Sequence, residues 1–220
     1  MQLWLARHAQ PLIAAGICYG QLDVAADAAA TAACAHKLAS VLPLQIKVVT
    51  STRQRCQQLA QALQKLRPAL SYSTDTRLQE MDFGHWEGHA WENIPPNELA
   101  AWTDNFPNYA VGQIGENVSV FMARVAEALD MLKTPQNQNQ HPYDQTDVLW
   151  ITHAGVIRAT ELLMQGIRHI EHAHQWPKTA PNYGQWRTYE HMNIPSEITQ
   201  KNSSNRLSQA TDITPKYLKP

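Results

Sequence analysis

Two short apolar segments, each ending in a polar turn that carries a histidine, constrain the fold of this chain most strongly. Residues 3–6 and 148–151 have the length and apolar character of buried strands, and His8 and His153 stand two residues after their ends. In open α/β sheets, ligands bind outside the carboxyl ends of the strands. We therefore expect His8 and His153 to lie at the same edge of one sheet.

The rest of the chain alternates between predicted helices and predicted strands. Further strands are predicted over residues 46–50, 70–73 and 183–189. A helix is predicted over residues 27–42 with Asp27 as its N-cap, and a second helix is predicted to begin after Ser51, which caps it. Further helices are predicted over residues 115–133 and 155–165. This alternation predicts a three-layer α/β/α sandwich with a mostly parallel sheet and helices on both faces.

The chain has 220 residues and a 44% hydrophobic share, which suit one compact domain with a sizeable core. We assign residues 1–190 to this domain. Within it, residues 75–109 are rich in proline and tryptophan and are expected to form loops and short helices over one end of the sheet. The Gln/Asn-rich residues 134–146 indicate a solvated loop, and residues 191–220 indicate a polar, loosely ordered tail.

Composition limits the partners and the compartment. A formal net charge of −1 gives no general attraction to nucleic acid or to a membrane surface, so an anion site must be local. The three cysteines lack the paired spacing of a disulfide framework and are expected to be small buried residues in a reducing compartment. The apolar start of the chain ends at Arg7 and is too short for a signal peptide or a membrane span. A cytoplasmic location is expected, and the oligomeric state stays open.

Four side chains are expected to converge on a phosphate group: Arg7 and His8 after the first strand, Arg55 in the second helix, and His153. Arginine offers planar paired donors to phosphate and keeps its charge at any relevant pH. The helix after His153 is expected to turn its free amides toward the same anion. Two guanidiniums and two imidazoles around one pocket therefore predict phosphate binding.

His8 is the candidate nucleophile at this site. A nucleophilic imidazole must be neutral, and the neighbouring Arg7 is expected to lower the pKa of His8. Transfer of a phosphoryl group to His8 divides one displacement into two easier ones. The leaving alkoxide needs a proton donor, for which Glu80 is the leading candidate. Asp82 and Glu87 lie in the same loop, and the residues alone do not choose among the three acids.

Five segments, taken together and in this order, resemble the histidine phosphatase (phosphoglycerate mutase-like) superfamily. Segment 5–9 (LARHA) resembles its R-H-G signature, and 51–56 (STRQRC) resembles S-P-L-x-R-C/A. The other three are 80–88 (EMDFGHWEG), similar to E-x-D-F-G-x-W-E-G, 115–117 (GEN), similar to G-E-S, and 152–158 (THAGVIR), similar to T-H-G-G-V-I-R. Segment 16–23, together with the D-F-G-x-W-E-G block, most resembles α-ribazole phosphatase-type members.

The resemblance implies a phosphomonoesterase that hydrolyses a small-molecule substrate through a phosphohistidine on His8. It implies phosphate binding by Arg7, Arg55 and His153, with Glu80 as the general acid and then the base for water. It implies no metal and no organic cofactor. Gln10 and Tyr19, on the loop after the first strand, are further candidates for substrate contact.

Two departures from the family pattern leave alternatives open. Ala9 and Ala154 stand where the family usually has glycine, which costs on the order of 1 kcal/mol if either position requires a positive φ. They give some weight to a catalytically silent module that binds phosphorylated ligands. A phosphoglycerate mutase using the same site is the other alternative, although residues 11–14 lack the Ser and Asn of the mutase signature.

Overall fold

The computed structural model describes residues 1–132 and 146–190, and a five-stranded sheet forms the centre of this part of the chain. Its strands lie in the spatial order β3-β2-β4-β1-β5. The first four pair in parallel, whereas β5 is antiparallel to β1. In chain order they are β1 (Gln2–Arg7), β2 (Ile46–Thr50), β3 (Tyr72–Thr74), β4 (Asp147–Thr152) and β5 (Trp186–Glu190).

Helices cover both faces of the sheet. They are α1 (Ala28–Val41), α2 (Gln54–Leu66), α3 (Pro96–Asp104), α4 (Val118–Met131) and α5 (Ala154–Met164). Successive side chains of a strand point to opposite faces. In β1, Leu3 and Leu5 pack with α4 and α5, while Trp4 and Ala6 pack with α1 and α2. The predicted three-layer α/β/α sandwich is therefore confirmed.

The pairing of β1 with β4 places the two histidines. The strands run side by side in parallel, with Leu3 opposite Val148 and Arg7 opposite Thr152. His8 and His153 each follow the last paired residue of their strand. The prediction that both lie at one edge of the sheet is confirmed.

The two predicted helix caps have different outcomes. Asp27 caps α1 as expected, with Oδ1 accepting a hydrogen bond from the Ala30 N–H at 2.7 Å. The assignment of Ser51 as the cap of α2 is wrong, because α2 begins at Gln54 and has Arg53 at its N-cap position. Ser51 is instead fully buried, and its hydroxyl group contacts the ring of His153.

The segment 75–109 folds as short elements, as predicted, but it contributes to the core. Besides α3 it contains three single 3₁₀ turns, at Thr76–Leu78, Gly84–Trp86 and Trp91–Asn93. Its tryptophans and Phe106 are buried and belong to the same apolar cluster as α4 and α5. The segment therefore extends one layer of the sandwich.

Several expectations concern the rest of the chain. The three cysteines are buried and form no disulfide. None of the helices in the described residues is long and apolar enough to cross a membrane. The predicted loop 134–146, apart from its last residue, and the predicted tail 191–220 lie outside the described residues.

Truncation of Leu149 tests this account of the core. Leu149 is fully buried in the central strand β4, so Leu149→Ala is expected to lower the free energy of unfolding by about 2–5 kcal/mol. Leu44 is 94% exposed, and Leu44→Ala should change it by less than about 0.5 kcal/mol. Urea unfolding followed by circular dichroism measures both, and equal effects would contradict the assigned core.

Candidate active site

His8 lies at the carboxyl end of β1 and is only 1% exposed. Its backbone N–H donates to the carbonyl of Thr152 at 3.0 Å, which ties it to the end of β4. Its ring Nδ1 lies 2.7 Å from the carbonyl oxygen of Ala9. Because a carbonyl oxygen can only accept, Nδ1 carries the hydrogen. The lone pair is therefore on Nε2, which is the nitrogen available to attack an electrophile.

The surroundings of the two histidines keep both rings neutral. Burial is the main cause that lowers the pKa of His8 and of His153 well below the usual 6.5, because the imidazolium loses its hydration. The positive charges of Arg55 and Arg7 lower both pKa values further. The ring centroids are 5.2 Å apart. The site thus contains two adjacent neutral imidazoles beside two guanidinium groups.

Backbone carbonyl groups hold the two arginines in place. Arg55 is fully buried, and its Nη1 and Nη2 donate to the carbonyls of Leu22 and Gly20 at 2.8 and 2.7 Å. Arg7 donates through Nη1 to the carbonyl of Pro181 at 3.2 Å. The buried Nε of each arginine has no hydrogen-bond partner within the described residues. Each arginine therefore has a fixed position and one buried donor without a partner among the described residues.

His153 occupies the N-cap position of α5 and is 1% exposed. Its Nε2 lies 2.8 Å from the hydroxyl oxygen of Ser51 and 3.5 Å from the sulfur of Cys56. Its Nδ1 is buried and, in the part of the chain that the structure describes, has no partner. The contact with Nε2 explains why Ser51 is buried instead of capping α2.

Three buried nitrogens without partners lie on residues around His8: Nε of Arg7, Nε of Arg55 and Nδ1 of His153. A buried donor that lacks a partner costs about 1–3 kcal/mol. An oxyanion accepts hydrogen bonds from such donors and is favoured by the two positive charges. We call the side chains of Arg7, His8, Arg55 and His153 the anion cradle.

Glu80 lies next to the anion cradle although it comes from a loop. It is 2% exposed, and its Oε2 accepts from the backbone N–H of Gly155, two residues after His153, at 3.0 Å. Oε1 accepts from the N–H of Met81 at 3.1 Å. The expectation that the first amides of α5 face the anion needs correction, because the Gly155 amide binds this carboxylate.

The other two acids of the same loop hold the loop itself. Asp82 accepts from the N–H of Gly84 at 2.8 Å. Glu87 accepts through Oε1 from the N–H groups of Gln21 and Phe83, at 2.7 and 3.0 Å. Of the three acids, Glu80 is therefore the one that lies beside the anion cradle.

The alanines that depart from the family pattern cause no backbone strain. Among the described residues, Gln113 is the only one other than glycine with a positive φ, so Ala9 and Ala154 adopt ordinary conformations. A glycine is required at position 155 for a different reason. A Cβ built on Gly155 would lie 2.1 Å from Oε1 of Glu80. The close approach of the acid therefore depends on this glycine.

Tyr183 is a cradle neighbour that the sequence did not reveal, because it was assigned only to the start of the last strand. Its ring centroid lies 3.9 Å from Cζ of Arg7 and 5.5 Å from the His8 ring. Its hydroxyl group lies 2.7 Å from that of Tyr19, whose ring centroid is 5.2 Å from Cζ of Arg55. The two tyrosines thus form a bridge between the arginines.

The remaining candidates lie further from this centre. Gln10 is exposed, and its backbone carbonyl accepts from the N–H of Asp27 at 2.8 Å. Its contact with a substrate stays a prediction. His85 and His89, which flank the acid loop, are exposed. Within the described residues, no group of three or more His, Cys, Asp or Glu side chains is placed to hold a metal ion.

The structure is thus an α/β sandwich with two buried arginines and two buried histidines at the carboxyl edge of its sheet. The profile of the histidine phosphatase superfamily (branch 1) matches residues 3–183. The chain therefore belongs to the histidine phosphatase superfamily and is a phosphatase of that type. No curated protein matches the chain significantly.

Solved structures share this fold over most of the chain. A mycobacterial glucosyl-3-phosphoglycerate phosphatase is 25% identical with a TM-score of 0.67, and the match covers 85% of this chain and 88% of that one. A protein from Thermus thermophilus is 25% identical with a TM-score of 0.62, covering 86% and 94%. A second mycobacterial protein, described as hydrolase 2, is 22% identical with a TM-score of 0.68, covering 85% and 80%.

The state of His8 is accessible to ¹⁵N nuclear magnetic resonance, with His8→Gln used to assign its signals. At pH 6.5 we expect a neutral ring with hydrogen on Nδ1, because the pKa is lowered well below that value. Since the unfolded ring takes up a proton near this pH and the folded ring does not, the free energy of unfolding should fall as the pH drops below it. A protonated ring at pH 6.5, or hydrogen on Nε2, would contradict this assignment.

Proposed function

We propose that this phosphatase hydrolyses a small-molecule phosphomonoester through a phosphohistidine on Nε2 of His8. The observation that carries the proposal is the neutral His8 ring, with its lone pair on Nε2, among the buried unpartnered donors of the anion cradle. A nucleophile and an oxyanion site are then present together. Phosphoryl transfer depends mainly on such positioning and charge stabilisation.

In the first step, the lone pair of Nε2 of His8 attacks phosphorus and the bond from phosphorus to the leaving oxygen breaks. Glu80 in its protonated form gives its proton to that oxygen, so the alcohol leaves and phosphohistidine remains. Nδ1 keeps its hydrogen bond to Ala9 throughout, which holds the ring in orientation.

In the second step, the Glu80 carboxylate takes a proton from a water molecule whose oxygen attacks phosphorus. The phosphorus–nitrogen bond breaks, which releases inorganic phosphate and returns His8 to its neutral form with Glu80 protonated again. The N–H groups of Gly155 and Met81 hold the Glu80 carboxylate in place for this step. One acid thus serves both steps without any metal or organic cofactor.

The phosphate oxygens bind to the donors of the anion cradle. Arg7 and Arg55 neutralise charge that spreads over the equatorial oxygens during transfer. His153 donates from Nδ1, and the Ser51 hydroxyl donates to its Nε2 in that tautomer. The pKa of His153 is lowered as well, so it acts as a neutral donor.

The substrate is proposed from two independent likenesses. Segment 16–23 resembles α-ribazole phosphatase-type members, and a structural neighbour is a glucosyl-3-phosphoglycerate phosphatase. These candidate substrates are compared by measuring kcat/KM for a panel of phosphorylated compounds. The panel contains α-ribazole phosphate, glucosyl-3-phosphoglycerate, sugar phosphates, phosphoglycerates and a phosphohistidine peptide. Tyr19 and Gln10 are proposed to contact the group that leaves.

We also propose a cytoplasmic location, which the three unpaired cysteines support.

Replacement of His8 tests the nucleophile. His8→Ala is expected to lower the rate of p-nitrophenyl phosphate hydrolysis by on the order of 10⁴-fold or more, because no other group forms the intermediate. The exposed His85, changed in His85→Ala, is the matched control and should keep the normal rate. Rapid quenching of the unchanged enzyme should trap a phosphoryl group that is stable to alkali and labile to acid.

Three results would contradict the proposal. A folded His8→Ala protein with normal turnover would exclude His8 as the nucleophile. No release of nitrophenolate by the unchanged protein would favour the silent binding module. Interconversion of 2- and 3-phosphoglycerate at a higher rate than their hydrolysis would favour the mutase.

Replacement of Gly155 tests the position of Glu80. In Gly155→Ala, the added Cβ collides with Oε1 of a flexible side chain, so the fold is expected to survive while the carboxyl group moves. We expect kcat to fall by on the order of 10²-fold, the lower end of the effect of general acid–base catalysis. In a Glu80→Gln background the same change should have little further effect. Fully additive losses in this double-mutant cycle would exclude the explanation that Gly155→Ala acts by displacing the Glu80 carboxyl group.

A further inference from the structure

Arg124 on α4 holds the backbone of the segment that carries Glu80, although it lies outside the anion cradle. Its Nη1 donates to the carbonyls of Arg77 and Gln79, both at 2.8 Å. Its Nη2 donates to the carbonyl of Glu80 itself at 2.9 Å. Three carbonyl groups within four consecutive residues are thus bound to one guanidinium.

The same guanidinium forms an ion pair with Glu116, just before α4. Nε and Nη2 of Arg124 donate to the two carboxylate oxygens of Glu116 at 2.6 and 2.7 Å, and only 17% of each side chain is exposed. Glu116 in turn accepts from the N–H of Asp82 at 3.1 Å, and its own N–H donates to the Asp82 carbonyl at 2.9 Å. The pair therefore holds the chain on both sides of Glu80.

All five N–H donors of Arg124 have partners in this arrangement: three backbone carbonyls and two carboxylate oxygens. A lysine at position 124 has three donors on one nitrogen and cannot reproduce a planar fork with five bonds. The held segment is irregular, since only a single 3₁₀ turn, Thr76–Leu78, precedes Glu80. Its conformation therefore depends on contacts from outside the segment.

We propose that Arg124 and Glu116 are positioning residues that fix the Glu80 carboxyl group for proton transfer to the leaving oxygen. This inference rests on the proposed role of Glu80 as the general acid. The pair binds the Glu80 backbone and no atom of the anion cradle through the hydrogen bonds seen in the described residues. It should therefore affect proton transfer and leave phosphate binding unchanged.

The test uses the dependence of kcat/KM on the leaving group. p-Nitrophenolate leaves as a stable anion, whereas an alkoxide requires a proton from Glu80. Arg124→Lys is expected to lower kcat/KM for an alkyl phosphate by on the order of 10²-fold, and that for p-nitrophenyl phosphate by less than about tenfold. Glu116→Gln, which keeps the volume of the side chain, should show the same selective loss. Inhibition by inorganic phosphate should keep its normal constant in both variants.

Two further variants make the outcomes distinct. Arg168→Lys changes an exposed arginine that pairs with Asp130 of α4, and it should leave both substrates unaffected. Glu80→Gln is the reference for complete loss of the acid and should show the largest selective loss. Equal losses on both substrates in the folded Arg124→Lys and Glu116→Gln proteins would overturn the positioning role. Absence of a selective loss in Glu80→Gln would overturn the acid role and this inference with it.

Discussion

The parallel pairing of β1 with β4 is the constraint on which the site depends. The two strands end at the same level, because Arg7 lies opposite Thr152, and the His8 N–H continues the pairing to the Thr152 carbonyl. Both imidazoles therefore lie side by side, on residues that directly follow the paired ends of two strands. A shift of one residue in this register would reverse the faces of the side chains on one strand. The apolar layers on both faces of the sheet thus fix the positions of the two histidines.

The electrostatic state of the site follows from the same burial. Two buried guanidiniums attract an anion, and they also make protonation of the neighbouring imidazoles unfavourable. In the proposed mechanism, one arrangement of charge thus serves both the binding of phosphate and the neutral state of the nucleophile. Hydrogen bonds from Arg7 and Arg55 to backbone carbonyls keep the positive charges in place before a ligand binds.

The sequence predicted the layers of the fold and the four residues of the anion cradle, because both depend on short local patterns. Apolar strands followed by polar turns place His8 and His153, and helical periodicity places Arg55. The sequence did not reveal Tyr183, since only the return of the chain into the antiparallel strand β5 brings it to Arg7. It misassigned Ser51 because a serine before a helix usually caps it, whereas a contact with His153 takes its hydroxyl here.

The choice among three acids in one loop shows where local patterns stop being informative. Asp82, Glu87 and Glu80 have the same chemistry and lie within eight residues of one another. Their contacts differ. Asp82 and Glu87 accept hydrogen bonds from amides of their own loop, whereas Glu80 accepts one from Gly155 in the first turn of α5. That contact requires a glycine at position 155 and a backbone held from α4 by Arg124. The acid is thus placed by two helices that follow it in the chain, and its position is a property of the tertiary structure.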